Sequence, residues 1–218
     1  EIHEGGRVGL ASSHRAHVQG VATFQRLGRS LYIEGATQGL FVRTDQMTPL
    51  QVGDRVDIVG FPAVGDYTPV LESAVFRRGS GGGVVKPAAI TARLALEGEY
   101  DAELVEIEAK VKEQKIGPQD QTFVLEADNR VFEAVARPAV KNGQFPALQN
   151  DSLVSLVGVC SVQVGEDRVP RSFRILLRSP ADIRVLRSPP WWTIKRIVYF
   201  LGFITAIAFA ASGWIFIL

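Results

Sequence analysis

The sequence predicts a mainly β protein, with two tandem five-stranded barrels followed by a single C-terminal transmembrane α-helix. Three observations predict it. Short apolar runs alternate with turn residues over most of the chain, the signature of half-buried strands. The segment PLQVGDRVDIVG (49–60) returns as ALQNDSLVSLVG (147–158), an internal repeat that argues for two copies of one fold. Residues 197–218 contain no charged side chain.

The first set of strands falls at residues 17–24, 31–34, 40–43, 55–60 and 69–76. Gly28 and the stretch Gly35–Gly39 turn the chain between them. With Leu31, Ile33, Leu40 and Val42 facing inward, Tyr32, Phe41 and Arg43 point outward. Gly79-Ser80-Gly81-Gly82-Gly83 reads as a linker by composition. Ala89–Glu97 reads as a short helix with Thr91 as its cap. The second set falls at 103–111, 121–126, 130–135, 152–158, 171–178 and 183–186, with Asp128-Asn129 as a hairpin turn. Five strands in this order make a small closed barrel of the OB type, which removes sheet edges. An immunoglobulin-like sandwich needs about seven. The expected boundaries are an N-terminal extension at 1–13, a first barrel at 14–78, a linker with a short helix at 79–100, a second barrel at 101–188, a juxtamembrane segment at 189–196 and the transmembrane helix at 197–218.

A helix over 197–218 is about 33 Å long and matches a hydrocarbon core of roughly 30 Å. Trp191, Trp192, Lys195, Arg196 and Tyr199 lie at its near end and suit the headgroup interface. Pro189-Pro190 stiffens the approach. Gly202, Ala206 and Ala210 form a small-xxx-small series that favours helix–helix packing and a homodimer, with Ala208 and Ser212 as a competing stripe. The near-side cations taken alone favour that side as cytoplasmic, but the sequence stops at Leu218 and gives no far flank to compare. It begins at Glu1, as expected of a processed chain or a fragment.

Net charge is +1, from 24 basic and 23 acidic residues, so no global field draws nucleic acid to the molecule. The single cysteine, Cys160, lies in an apolar run and reads as a buried thiol. His14 and His17 have metal-like spacing only on a helix, and they precede a strand. No catalytic constellation, cofactor motif or metal site is expected. Asp101, Glu103, Glu106 and Glu108 read as the polar face of a strand whose Leu104, Val105 and Ile107 pack inward.

The ligand-binding candidates are Tyr32, Phe41 and Arg43, because an OB barrel uses the outer face of its second and third strands. Two aromatics and an arginine there suit stacking on a base or sugar. Covering the core or contacting the second barrel is the other reading. Between Arg168 and Arg196 eight basic residues face Asp182 alone. Nucleic-acid contact, anionic headgroups and salt-paired strand faces are the three readings, and proximity to the membrane segment favours headgroups.

The segments HVQGVATF (17–24), LYIEGATQGLFVR (31–43), LQVGDRVDIVGFPA (50–63), LVGVC (156–160), SFRILLRSPADIRVL (172–186) and PPWWT (189–193) together resemble the tandem OB-like extracytoplasmic region of bacterial sensor histidine kinases. The resemblance implies a periplasmic double barrel, a single-pass anchor in the inner membrane and a cytoplasmic kinase beyond it. The cytoplasmic part is absent. His3, His14 and His17 all precede the membrane segment, and none matches a phospho-acceptor. The expectation is therefore a non-catalytic sensory or interaction module and anchor of a signal-transduction receptor, with the bilayer and an unknown periplasmic ligand or protein as partners. A diguanylate cyclase is a second possible output domain. The alternative is a membrane-anchored OB-fold protein that binds oligosaccharide or single-stranded nucleic acid.

Overall fold

The computed structural model describes residues 14–117, 120–136, 145, 147–189, 198–205 and 207. In the first module the alternation of Leu31, Tyr32 and Ile33 decides the strand phase. Leu31, Ile33 and Val42 are fully buried, together with Val56, Ile58, Leu71 and Phe76. The strands are β1 (Ala16–Arg26), β2 (Ser30–Glu34), β3 (Gly39–Arg43), β4 (Asp54–Ala63) and β5 (Val70–Gly82). They close into a barrel in the order β1-β2-β3-β5-β4. Only β3 and β5 run parallel.

The second module begins with β6 (Ala88–Ala89) and α1 (Ala92–Glu97), and continues with β7 (Leu104–Ile116), β8 (Gln121–Ala127), β9 (Arg130–Ala136), β10 (Leu153–Val164) and β11 (Pro170–Leu177). A 3-10 turn (Pro180–Asp182) leads into β12 (Ile183–Arg187). Strands β7-β8-β9-β11-β10 repeat the order of the first barrel, and β10 pairs back onto β7. Strand β11 runs parallel to β9, as β5 does to β3. The chain is thus a tandem of OB-like barrels. Thr91 caps α1 by accepting the Leu94 N–H, and Gly98 ends it in the left-handed region at φ 90°. Ala92 and Ala95 bury the helix in the second core.

The repeat maps onto equivalent places. In each copy it forms the tight turn that enters the fourth strand, with Asp54 N–H bonded to Gln51 O and Ser152 N–H to Gln149 O. A glutamine near the end of each first strand fixes the turn. Gln25 accepts the Leu50 N–H at 2.8 Å and Gln114 the Leu148 N–H at 2.9 Å. The Val-Gly that ends each copy lies where the fourth strand crosses the fifth. A Cβ on Gly60 would stand 2.9 Å from Ala74 Cβ, and one on Gly158 2.5 Å from Ile175 Cγ2. The hairpin at Asp128-Asn129 has φ 50° and 58°, as a type I′ turn requires.

Two sequence expectations are corrected. Residues 79–82 are not a free linker: they extend β5, with Gly82 in register with Asp54 and the Gly83 N–H bonded to Gly53 O. Leu104 is buried but faces out of the second barrel, toward the first, because it starts a strand whose inward phase is set by Val105 and Ile107. Cys160 is fully buried, and burial pushes its thiol well above the usual range.

Among the described residues no helix is long and apolar enough to cross a membrane. Residues 198–205 are helical, and residues 197, 206 and 208–218 of the expected span lie outside the described residues. So do Trp191, Trp192, Lys195, Arg196, Ala206 and Ala210, and the N-terminal extension at 1–13. Tyr199 is exposed on the described helix, and Gly202 has open space around it.

Candidate functional site between the barrels

Strands β2 and β3 pair Tyr32 with Phe41 directly, so both rings stand on the outer face of the first barrel. Their centroids are 4.9 Å apart, and the Phe24 ring meets Tyr32 edge-on at 5.8 Å. The second barrel covers this platform. Leu104, Val159 and Leu176 form a buried cluster against Phe24, Tyr32, Val85 and Val157. Burying each such aliphatic side chain contributes about 1.5–3 kcal/mol. Desolvation raises the Tyr32 phenol to about 12, against a smaller lowering by the Arg26 guanidinium. Its hydroxyl also bonds the Ser161 side chain of the second barrel.

Polar contacts lock the same surface. Asp101 accepts the Thr68 hydroxyl at 2.6 Å through one oxygen and the Val162 N–H at 2.9 Å through the other. The Tyr67 hydroxyl donates to Glu97 O at 3.1 Å. Gly39 meets the backbone of Ala102 so closely that a Cβ would stand 2.4 Å from the Ala102 oxygen.

What remains open is a cleft of about 200 Å³. Tyr32, Phe41 and Arg43 line it together with Asp66, Tyr67, Thr68, Glu72, Asp101 and Ser161. All three sequence-predicted ligand residues therefore line one cleft, but unequally. Tyr32 is largely consumed by packing, Phe41 is half-buried, and Arg43 is exposed and paired with Glu72 at 2.8 Å. The second barrel's contribution, Asp101 and Ser161, was not found from sequence, where Asp101 had only the pattern of a strand's polar face. A larger open groove of about 770 Å³ on the second barrel has Glu106, Glu108, Glu126 and Asp128 on its walls and no aromatic ring. On β8 and β9 the residues alternating with the buried Phe123, Leu125, Phe132 and Ala134 are Thr122, Val124, Glu126, Val131, Glu133 and Val135. This equivalent face of the second barrel has no stacking platform.

His17 bonds Asp57 at 3.2 Å on the exposed face of the first barrel. Gln19, His17 and Arg77 hold the Asp57 carboxyl below its ordinary range. Among the described residues no group of three His, Cys, Asp or Glu side chains could hold a metal ion.

No protein-family model and no curated protein matches the chain. Among solved structures it is similar to an aspartyl tRNA synthetase from Entamoeba histolytica, at 12% identity and a TM-score of 0.39, over 49% of this chain and 23% of that one. It is also similar to the tetrameric p202 HIN2, at 15% identity and a TM-score of 0.37, over 83% of this chain and 98% of that one. A murine DNA binding protein bound with ds DNA aligns at 13% identity and a TM-score of 0.33, over 82% and 98% of the two chains. The chain spans under a quarter of the synthetase's length. Likenesses of this size carry no argument about what this chain binds.

Proposed function

We propose that this chain is a non-catalytic, extracytoplasmic sensory or interaction module with its own membrane anchor, part of a bacterial signal-transduction receptor of the histidine-kinase type. The observation that carries the anchor is the helix at residues 198–205. Val198, Tyr199, Phe200, Leu201, Phe203 and Ile204 are each about half exposed or more, and they point in every direction around it. A helix that is apolar all round finds a suitable solvent in lipid, not in water. The receptor assignment is supported by the order of parts, two OB-like barrels and then this helix, which is what the resemblance implies. The double barrel acts as a unit in this reading, since the Tyr32 cluster and Asp101 tie its halves. A ligand or partner seated at the cleft shifts one barrel against the other, and the anchor transmits that shift.

The test is fractionation of the full chain expressed in bacteria. The chain is expected in the inner membrane, resistant to alkaline extraction, with residues 14–189 open to protease from the periplasmic side. Recovery in the soluble fraction without detergent sinks the proposal.

A second reading, a membrane-anchored binder of oligosaccharide or single-stranded nucleic acid, is favoured by one observation: Phe41 stands beside Arg43 at the open side of the cleft. Asp66, Glu72 and Asp101 surround them and make a neutral sugar the better occupant than a phosphodiester. Oligonucleotide binding that falls steeply with salt and is lost with Phe41→Ala would reverse that preference.

A further inference from the structure

We infer that the outer wall of the first barrel carries a ligand site of its own, for a free α-amino acid, between Arg55 and Glu34. The site is apart from the cleft between the barrels, and no residue lines both. It occupies a groove of about 480 Å³, within the roughly 300–1,000 Å³ of small-molecule sites.

Strand register builds the groove. Val21 of β1 pairs with Glu34 of β2 on one side and with Arg55 of β4 on the other. Directly paired residues share a face, so the three side chains form one outward row. Two strand spacings, about 10 Å, separate the Cα atoms at its ends. Gly79 lies beyond Arg55, where an added Cβ would stand 3.6 Å from Arg55 Cβ. The guanidinium thus has an aliphatic neighbour on one side and no side chain on the other.

The neighbouring aspartates on β4 are already engaged. Asp54 pairs with Arg78 at 2.7 Å and accepts the Gln51 N–H at 2.7 Å. Asp57 is engaged by Gln19 at 2.7 Å, His17 at 3.2 Å and Arg77 at 3.3 Å. Arg55 is exposed and makes no hydrogen bond or ion pair among the described residues. Glu34 accepts the Leu104 N–H, a neutral donor, and lies in the field of Glu103. The row therefore has an unspent guanidinium at one end and an under-neutralised carboxylate at the other. A molecule with a carboxylate for Arg55 and an ammonium for Glu34 satisfies both. A simple anion would leave Glu34 unmatched, and a neutral sugar would leave both ends unmatched.

The second barrel shows that the fold does not require this pair. By the internal repeat, Leu153 stands in the place of Arg55 and Ser155 in that of Asp57. Lys110 replaces Val21 in the row, and Glu126, in register with it, is held by Lys112 at 2.6 Å. There the guanidinium is gone and the carboxylate at the end of the row is neutralised.

The experiment is isothermal titration of the full chain, in detergent at neutral pH, with each proteinogenic amino acid in turn. At least one is expected to bind saturably. Its N-acetyl form lacks the ammonium and its amide form lacks the carboxylate, and each is expected to bind roughly tenfold more weakly or worse. Arg55→Leu, the exchange the second barrel has already made, is expected to weaken binding as much, with amide exchange in β1 and β4 unchanged. Glu34→Gln keeps an acceptor for the Leu104 N–H and is expected to weaken binding as well. Unchanged affinity in Arg55→Leu overturns the inference, as does equal affinity for the N-acetyl form. A uronate or inorganic phosphate that binds where no amino acid does overturns the ligand class, and binding by none of them overturns the site.

Discussion

Glu34 and Glu103 clasp the two barrels reciprocally. The carboxylate of Glu34, on the first barrel, accepts the N–H of Leu104 on the second, and that of Glu103, on the second, accepts the N–H of Gly39 on the first. Burial raises both acids above the ordinary glutamate range, and the charge of Glu103 raises Glu34 further. The hydrogen bonds pull the other way but do not win.

The sign of the pH dependence follows. A carboxyl whose folded pKa is raised binds its proton more tightly in the docked state than in the unfolded chain. Its contribution is full below the unfolded glutamate value and is lost as pH rises through the raised value. Glu103→Gln keeps an acceptor for the Gly39 N–H and removes the charge. The melting temperature of the variant is expected to exceed that of the parent at pH 7, with the gap closing near pH 4. A gap of the same size at both pH values would show that burying the Glu103 charge is not the cause.

Asp57 and Glu126 work in the opposite sense, both held low, Asp57 chiefly by Gln19 and Glu126 by Lys112. Their contribution is present above the ordinary carboxylate range and fades as pH falls through their lowered values. Asp57→Asn is therefore expected to destabilise the first barrel at neutral pH and to be almost silent near pH 2, measured as the pH dependence of the melting difference from the parent.

Tyr32 joins the barrels by packing and by its bond to Ser161. Tyr32→Ala removes a ring that touches Phe24, Phe41 and the aliphatic cluster, and is expected to cost about 3–5 kcal/mol. Tyr32→Phe loses only the hydroxyl bond, about 1 kcal/mol. Calorimetry is expected to show one transition for the parent and two for Tyr32→Ala, as the barrels melt apart. A single transition in both would mean that the polar clasps suffice.

The fold was legible where period-2 alternation was clean. Leu31, Ile33 and Val42 are buried as the pattern required, and the repeat at Leu50 and Leu148 located the entry to the fourth strand in each barrel. The pairing of the barrels was not legible. Leu104 follows its buried neighbours' hydropathy in sequence, and nothing local says that it faces a second module. Gln25 and Gln114 look like surface residues until the turn they hold is seen. Asp101 is set by long-range contacts alone, and no spacing along the chain foreshadows Thr68 and Val162 as its partners.

The repeated Val-Gly yields a graded prediction. At Gly158 an added methyl meets Ile175 Cγ2 at 2.5 Å and the Leu176 carbonyl oxygen at 2.7 Å, and a carbonyl inside a ladder cannot yield. At Gly60 the nearest atom is Ala74 Cβ at 2.9 Å. Gly158→Ala is expected to cost at least about 1–3 kcal/mol, and Gly60→Ala less. Urea unfolding of each variant reads this directly. The reverse order would mean that the ladder at Leu176 yields more readily than the contact with Ala74.

Residues 79–83 supply the last prediction, because strand pairing has replaced a tether there. The segment carries β5 to the end of its ladder with β4, where Gly82 lies in register with Asp54 and Gly83 bonds to Gly53. A Cβ on Gly83 would meet Val21 Cγ2 at 2.7 Å, so the chain also passes closely over β1. Deleting 79–83 therefore removes part of the barrel wall. Amide exchange over β4 and the middle of β1, around Val21, is expected to accelerate at least tenfold, with little change in β10. Replacing Ser80 by glycine, which leaves the backbone path intact, is expected to do neither. If the deletion left β4 exchange as it was, the segment would be acting as a tether after all, and the first barrel would end near Arg78.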